Sequence, residues 1–127
     1  MLKILIAEDD RELRQLFSHV LIKNGYTVTG VSNGQQALDA MNNDFFDLII
    51  SDIMMPVMDG YQALMGIRNL EKERNIPKEQ EAKVIMTTAL NDEKNVKMAF
   101  DLGCTVYSGK PIDQDRFEQV LKKFGLI

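Results

Sequence analysis

A single cysteine, Cys104, denies this chain an internal disulfide and suits a reducing compartment. No apolar run approaches the ~20 residues that a membrane span requires. The opening MLKILIAEDD carries neither the long apolar region nor the small-residue cleavage site of a signal peptide. Positive charge is also in deficit: 15 Lys and Arg against 19 Asp and Glu leave a net charge of −4, and the basic residues are scattered. That removes the electrostatic footprint of a nucleic-acid binder. Glycine-rich loops of the GxGxxG and GxxxxGK[ST] kinds are missing too, so a nucleotide site is unsupported. The expectation is a cytoplasmic protein that touches neither membrane nor nucleic acid directly.

What is present is an ordinary globular composition, 45% hydrophobic and 27% charged, in a length that suits one domain over residues 1–127. Short aliphatic runs at Leu2–Ala7, Thr27–Val31, Asp47–Ser51, Val84–Thr88 and Thr105–Ser108 predict strands. Several are apolar throughout, as parallel strands covered on both faces must be. Helical stripes separate them: Leu13, Leu16, Phe17, Val20 and Leu21; Ala37, Leu38 and Met41; Leu64 and Ile67 with polar Glu71; Val96, Ala99 and Phe100; Phe117, Val120, Leu121 and Phe124. Asn24-Gly25 and Gly103 are suited to end helices, and Ser32 or Asn33 to start one. The order βα, five times over, predicts an α/β fold: a doubly wound, five-stranded parallel sheet with helices on both faces. Residues 71–83, EKERNIPKEQEAK, read as a helix end plus a surface loop.

In such a sheet, ligands sit beyond the carboxyl ends of the strands. The first strand ends in Glu8-Asp9-Asp10, the third in Asp52 and the fourth in Thr87-Thr88, and Lys110-Pro111 follows the fifth. Each has a bland reading. Asp9 or Asp10 suits a helix N-cap, and Asp52 alone is more often a turn residue than a nucleophile. Thr88 is a good strand former, and Lys110 is an ordinary surface residue. Together they carry more. Three carboxylates in one corner repel by about 4 kcal/mol per pair at an effective dielectric of 20. Oxygen ligands without His or Cys suit Mg²⁺, with Mn²⁺ as the alternative. An Asp beside such a cation, an ammonium and a hydroxyl suits phosphoryl transfer to the carboxylate itself.

KILIAEDD, DLIISDIMMPVMDG, VIMTTA and YSGKP, in that order and on matching strands, resemble the receiver domains of two-component response regulators over essentially the whole chain. The resemblance implies the flavodoxin-like, chemotaxis-type strand order 2-1-3-4-5. It implies Asp52 as phosphoacceptor, Glu8 and Asp9 as the acidic pair for Mg²⁺, and the carbonyl of Met54 as a further ligand. It implies Lys110 as the phosphoryl-binding amine ahead of a cis peptide at Pro111, Thr88 as switch hydroxyl and Tyr107 as switch aromatic. Ending the first strand at Ala7 favours Glu8 and Asp9 over Asp9 and Asp10, and the small Ala89 favours Thr88 over Thr87. Met54 and Leu90, both apolar, offer nothing to orient a hydrolytic water, which implies slow loss of the phosphoryl group. The implied donor is a sensor histidine kinase or a histidine phosphotransfer protein. The implied output is a change in the surface of the fourth helix, fifth strand and fifth helix that a downstream protein reads, with phosphorylation-dependent homodimers allowed. Such a domain catalyses its own phosphorylation and dephosphorylation without being a metabolic enzyme.

Other residues receive plainer readings. His19 is a structural or surface residue, Cys104 a small buried group, and Met41, Met86 and Met98 core filler; Met55 and Met58 pack the loop after Asp52. The ending LKKFGLI, with Gly125 as a cap and no charged linker, favours a stand-alone receiver over one excised from a DNA-binding regulator. A flavodoxin-like electron carrier would share the sheet order, but Glu8-Asp9-Asp10 would repel the flavin phosphate. A pure interaction module without chemistry would not need these residues together.

Overall fold

The computed structural model describes residues 3–88, 93–109, 114–123 and 125. The elements run β1 (Lys3–Ala7), α1 (Arg11–Lys23), β2 (Thr27–Val31), α2 (Gly34–Asn43), β3 (Leu48–Asp52), α3 (Gly60–Glu73), a 3-10 turn (Lys78–Gln80), β4 (Lys83–Thr88), α4 (Glu93–Asp101), β5 (Val106–Gly109) and α5 (Gln114–Lys123). The strands pair in parallel in the order β2-β1-β3-β4-β5. Crossover helices must then cover both faces, and side-chain alternation divides the core accordingly. Leu5, Ala7, Ile49, Val84 and Met86 pack with residues of α2, α3 and α4. Ile4, Ile6, Leu48, Ile50 and Ile85 pack with α1 and α5. On that second side, the rings of Phe17 and Phe117 stack 4.4 Å apart and tie α1 to α5.

Local chemistry sets the boundaries. Asp10 caps α1 by accepting from the N–H groups of Glu12 and Leu13, Asn33 caps α2, and Asp59 forms a capping box with Gln62 at the start of α3. The third strand runs one residue past the expected Ser51, so Asp52 is its last rung. Two expectations on α4 are corrected. Met98 is 39% and Phe100 48% exposed. The inward row of this short helix passes through buried Ala99, with Leu102 packed just beyond its end, leaving Met98 and Phe100 to either side. Val120's side chain and Phe124 lie outside the described residues.

Residues 71–83 are more than a surface loop. Glu71 is buried, and its carboxylate meets Arg68 Nη1 at 2.7 Å and the N–H of Ala82 at 2.7 Å. Arg68 also donates to the carbonyls of Ala82 and Gly103. One guanidinium thus pins the end of α3 to the entry of β4 and to the α4–β5 turn. The helical stripe placed Glu71 on the inward face; its partner, three residues earlier, explains why a charge is tolerated there.

Candidate functional site

Register makes Glu8 and Asp52 neighbours. Ala7 pairs with Ser51, so the next step along β1 and β3 is Glu8 beside Asp52. Ile4 and Ile6, and likewise Leu48 and Ile50, face the α1–α5 side, and the two carboxylates continue those rows. Both are almost dry, at 1% and 4% exposure. Asp9 joins them from the exposed β1–α1 loop, and one carboxylate oxygen of each of the three lies within 4.8 Å of the others. At that spacing each like-charged pair costs about 3–4 kcal/mol in a medium of effective dielectric 20. The donors are all oxygen, two are sheltered and one is open to solvent, an arrangement that fits a hard divalent cation keeping some of its water.

Backbone contacts hold these groups in place. The Glu8 N–H donates to the Val31 carbonyl at 3.0 Å, extending the β1–β2 ladder, and Glu8 Oε2 accepts from the Asp10 N–H at 3.2 Å. Asp52 Oδ1 accepts from the Met54 N–H at 3.3 Å, so the bland turn role of this aspartate is also fulfilled. The loop that follows is tight. Ile53 donates to the Thr87 carbonyl and accepts from the Gly60 N–H. A Cβ on Gly60 would lie 2.8 Å from Ile53 Cα, which is why DG closes the loop. Val57 has φ of 69° at the centre of a three-residue turn, closed from the Met58 N–H to the Pro56 carbonyl. A left-handed β-branched residue is strained, and here it stands 82% exposed in the loop that follows Asp52.

The remaining expected residues are placed as follows. Thr88 ends β4 opposite Gly109 of β5. Its side chain, together with Lys110, Pro111, Ala89 and Leu90, lies outside the described residues. Tyr107 is half-buried against the α2–α3 side of the core, paired in register with Met86. Met54 is 60% exposed. His19 is exposed on α1. Cys104 is buried, and desolvation pushes its thiol up to about 11 although the Arg68 charge pulls the other way. Of two further neighbours of the site, the sequence reading set Thr87 aside in favour of Thr88 and passed over Arg14. Thr87, buried and paired with Asp52, sits beside the carboxylate row. Arg14 donates to the Glu8 carbonyl at 2.6 Å. The i+6 separation of Glu8 and Arg14 is no standard motif, so neither periodicity nor spacing pointed to it.

The family model of the response regulator receiver domain matches residues 4–122, from β1 to the last turn of α5. The chain belongs to that family. This receiver is 32% identical over 122 residues to sporulation initiation phosphotransferase F of Bacillus subtilis, covering 96% of this chain and 92% of that protein. It is 34% identical over 119 residues to a probable transcriptional regulator, ycf29, of Porphyra purpurea, covering 94% of this chain but 54% of that one. The receiver thus spans about half the length of that relative. A solved CheX–CheY–BeF3–Mg complex from Borrelia burgdorferi superposes with a TM-score of 0.83 at 27% identity, covering 97% of this chain and 89% of the other. The receiver fold replaces the electron-carrier reading.

Proposed function

We propose that this chain is the phosphoacceptor switch of a two-component or phosphorelay pathway, with Asp52 as the acceptor. The observation that carries the reading is the convergence of Glu8, Asp9 and Asp52 within 4.8 Å at the carboxyl edge of the sheet. Receiver domains generally bind Mg²⁺ in such an acidic pocket, and the three carboxylates with the Met54 carbonyl are the groups assigned to hold it here. Bound there, the ion supplies positive charge that offsets the carboxylates and the oxygens of an incoming phosphoryl group.

The donor is a phosphohistidine on a sensor kinase or histidine phosphotransfer protein. An Asp52 Oδ atom attacks phosphorus in line while the P–N bond breaks; the departing imidazole nitrogen keeps the electron pair and takes up a proton from water. Asp52 is suited to this by its setting. Its backbone is fixed as the last rung of β3, and the Met54 N–H steadies one carboxylate oxygen. Lys110, next in the chain after the end of β5, is assigned to bind a phosphoryl oxygen, and the Thr88 hydroxyl to hydrogen-bond the product. The new group adds about −1.5 to −2 charge and three acceptor oxygens. Movement of Thr88 towards it, with Tyr107 turning inward, is the assigned route to the α4–β5–α5 surface.

Two outputs are supported by different relatives. The match to almost all of phosphotransferase F favours a receiver that acts by protein contacts alone. The match to about half of a transcriptional regulator favours a receiver that controls an attached DNA-binding segment. The full open reading frame separates them. The chemistry is tested by incubation with acetyl phosphate, with and without Mg²⁺, followed by intact-mass measurement. One phosphoryl adduct is expected, dependent on metal and absent in Asp52→Asn. An adduct that persists in that variant overturns the assignment.

A further inference from the structure

We propose that Arg14 is a positioning residue for the acidic centre, fixing the peptide plane that joins Glu8 to Asp9; the inference rests on reading those carboxylates as the Mg²⁺ site. The two peptide units that flank the Glu8 Cα are each held, one by β2 and the other by Arg14. The Glu8 N–H donates to the Val31 carbonyl of β2 at 3.0 Å, and the Glu8 carbonyl accepts from Arg14 Nη1 at 2.6 Å. A peptide unit is planar, so orienting the Glu8 carbonyl also orients the N–H and Cα of Asp9. The guanidinium therefore sets how the exposed carboxylate stands relative to the buried one.

Arg14 is itself well anchored. Its N–H donates to the Asp10 carbonyl at 2.9 Å, and its own carbonyl accepts from Ser18 Oγ at 2.8 Å, which locks its backbone into the first turns of α1. Its stem crosses β2 at Gly30, where a Cβ would lie 3.3 Å from Arg14 Cδ. Glycine is a poor strand former. Its presence in β2 leaves a track for the stem between α1 and the Glu8 carbonyl. Two features distant in sequence, a glycine in one strand and an arginine in a helix, thus serve one hydrogen bond.

A guanidinium near a cation site has an opposite possible effect: as a like charge it would weaken cation binding. The two roles predict changes of opposite sign, and Mg²⁺ titration by calorimetry distinguishes them. Arg14→Met keeps much of the stem and removes both charge and hydrogen bond. If Arg14 positions the site, its Mg²⁺ dissociation constant rises about fivefold, the scale of part of one charge-assisted hydrogen bond. Arg14→Lys, which keeps the charge but not the fork, weakens binding about twofold, and Gly30→Val, which crowds the stem while favouring the strand, does so to a similar degree. In metal-free protein, amide hydrogen exchange at Asp9 speeds up in Arg14→Met while the central amides of α1 stay protected. Unchanged or tighter Mg²⁺ binding in Arg14→Met overturns the positioning role alone. Absence of Mg²⁺ binding in the unsubstituted protein overturns the reading of the acidic centre, and this inference with it.

Discussion

Glu71 and Asp52 are both carboxylates withdrawn from water, yet their company differs in kind. Glu71 meets a guanidinium and a backbone N–H, and Arg68 in turn meets two carbonyls, so the chain itself answers the charge. Asp52 shares its corner with Glu8 and Asp9, carboxylate against carboxylate. The first arrangement joins three segments and serves architecture. The second gathers three carboxylates within 4.8 Å of one another, a concentration of negative charge suited to a hard cation. Burial of an acid is therefore no mark of function by itself; the sign of its neighbours is.

Removing each acid in turn gives the largest contrast. Glu71→Ala leaves the Arg68 guanidinium and the Ala82 N–H without their partner, and unfolding in urea should show a loss of about 3 kcal/mol or more. Asp52→Asn in metal-free protein removes one member of a repelling trio and should leave stability unchanged or raised by about 1 kcal/mol, since solvent and relaxation offset most of the bare repulsion. Equal losses in the two variants would dissolve the comparison. A second test uses the ligand. At one hundred times its dissociation constant, Mg²⁺ should stabilise the protein by about 2.7 kcal/mol, read as a raised unfolding midpoint, and Glu71→Gln should retain that increment. Asp9→Asn should lose most of it.

The smallest effect belongs to a pair that lies wholly at the surface. Lys3 forms an ion pair with Asp44, whose carboxyl is held below its ordinary 3.8, first by the Lys3 hydrogen bond and then by the Phe45 N–H. A depressed folded pKa means that the stability it contributes is present above the unfolded value and is lost as pH falls through the folded one. Asp44→Asn should therefore leave neutral-pH stability nearly unaltered and slightly flatten the acid limb of a pH–unfolding curve below about pH 4. A changed neutral or alkaline limb would contradict the sign.

Much of this was legible in the residues because the sheet repeats a simple code. Apolar runs marked the strands and three-four stripes the helices, with errors of one residue where polar Asp52 and Gly109 still belong to their strands. The acidic corner was legible because strand ends in a doubly wound sheet share one edge. What escaped notice needed three-dimensional neighbours. Glu71 read only as a polar member of a stripe, and its partners Arg68 and Ala82 became visible once the fold brought them together. Arg14 and Gly30 drew no reading from the residues, because only the fold lays the stem of one across the other. Met98 and Phe100 failed for the reverse reason: an apolar residue in a short helix need not face inward.

The account turns on which atom accepts the phosphoryl group. Borohydride reduces an acyl phosphate at aspartate to a stable alcohol, so reduction after labelling with acetyl phosphate and Mg²⁺, followed by peptide mass mapping, locates the acceptor. The change should fall on Asp52 alone. Modification mapped to Glu8, to Asp9 or to a residue outside this corner would contradict the account.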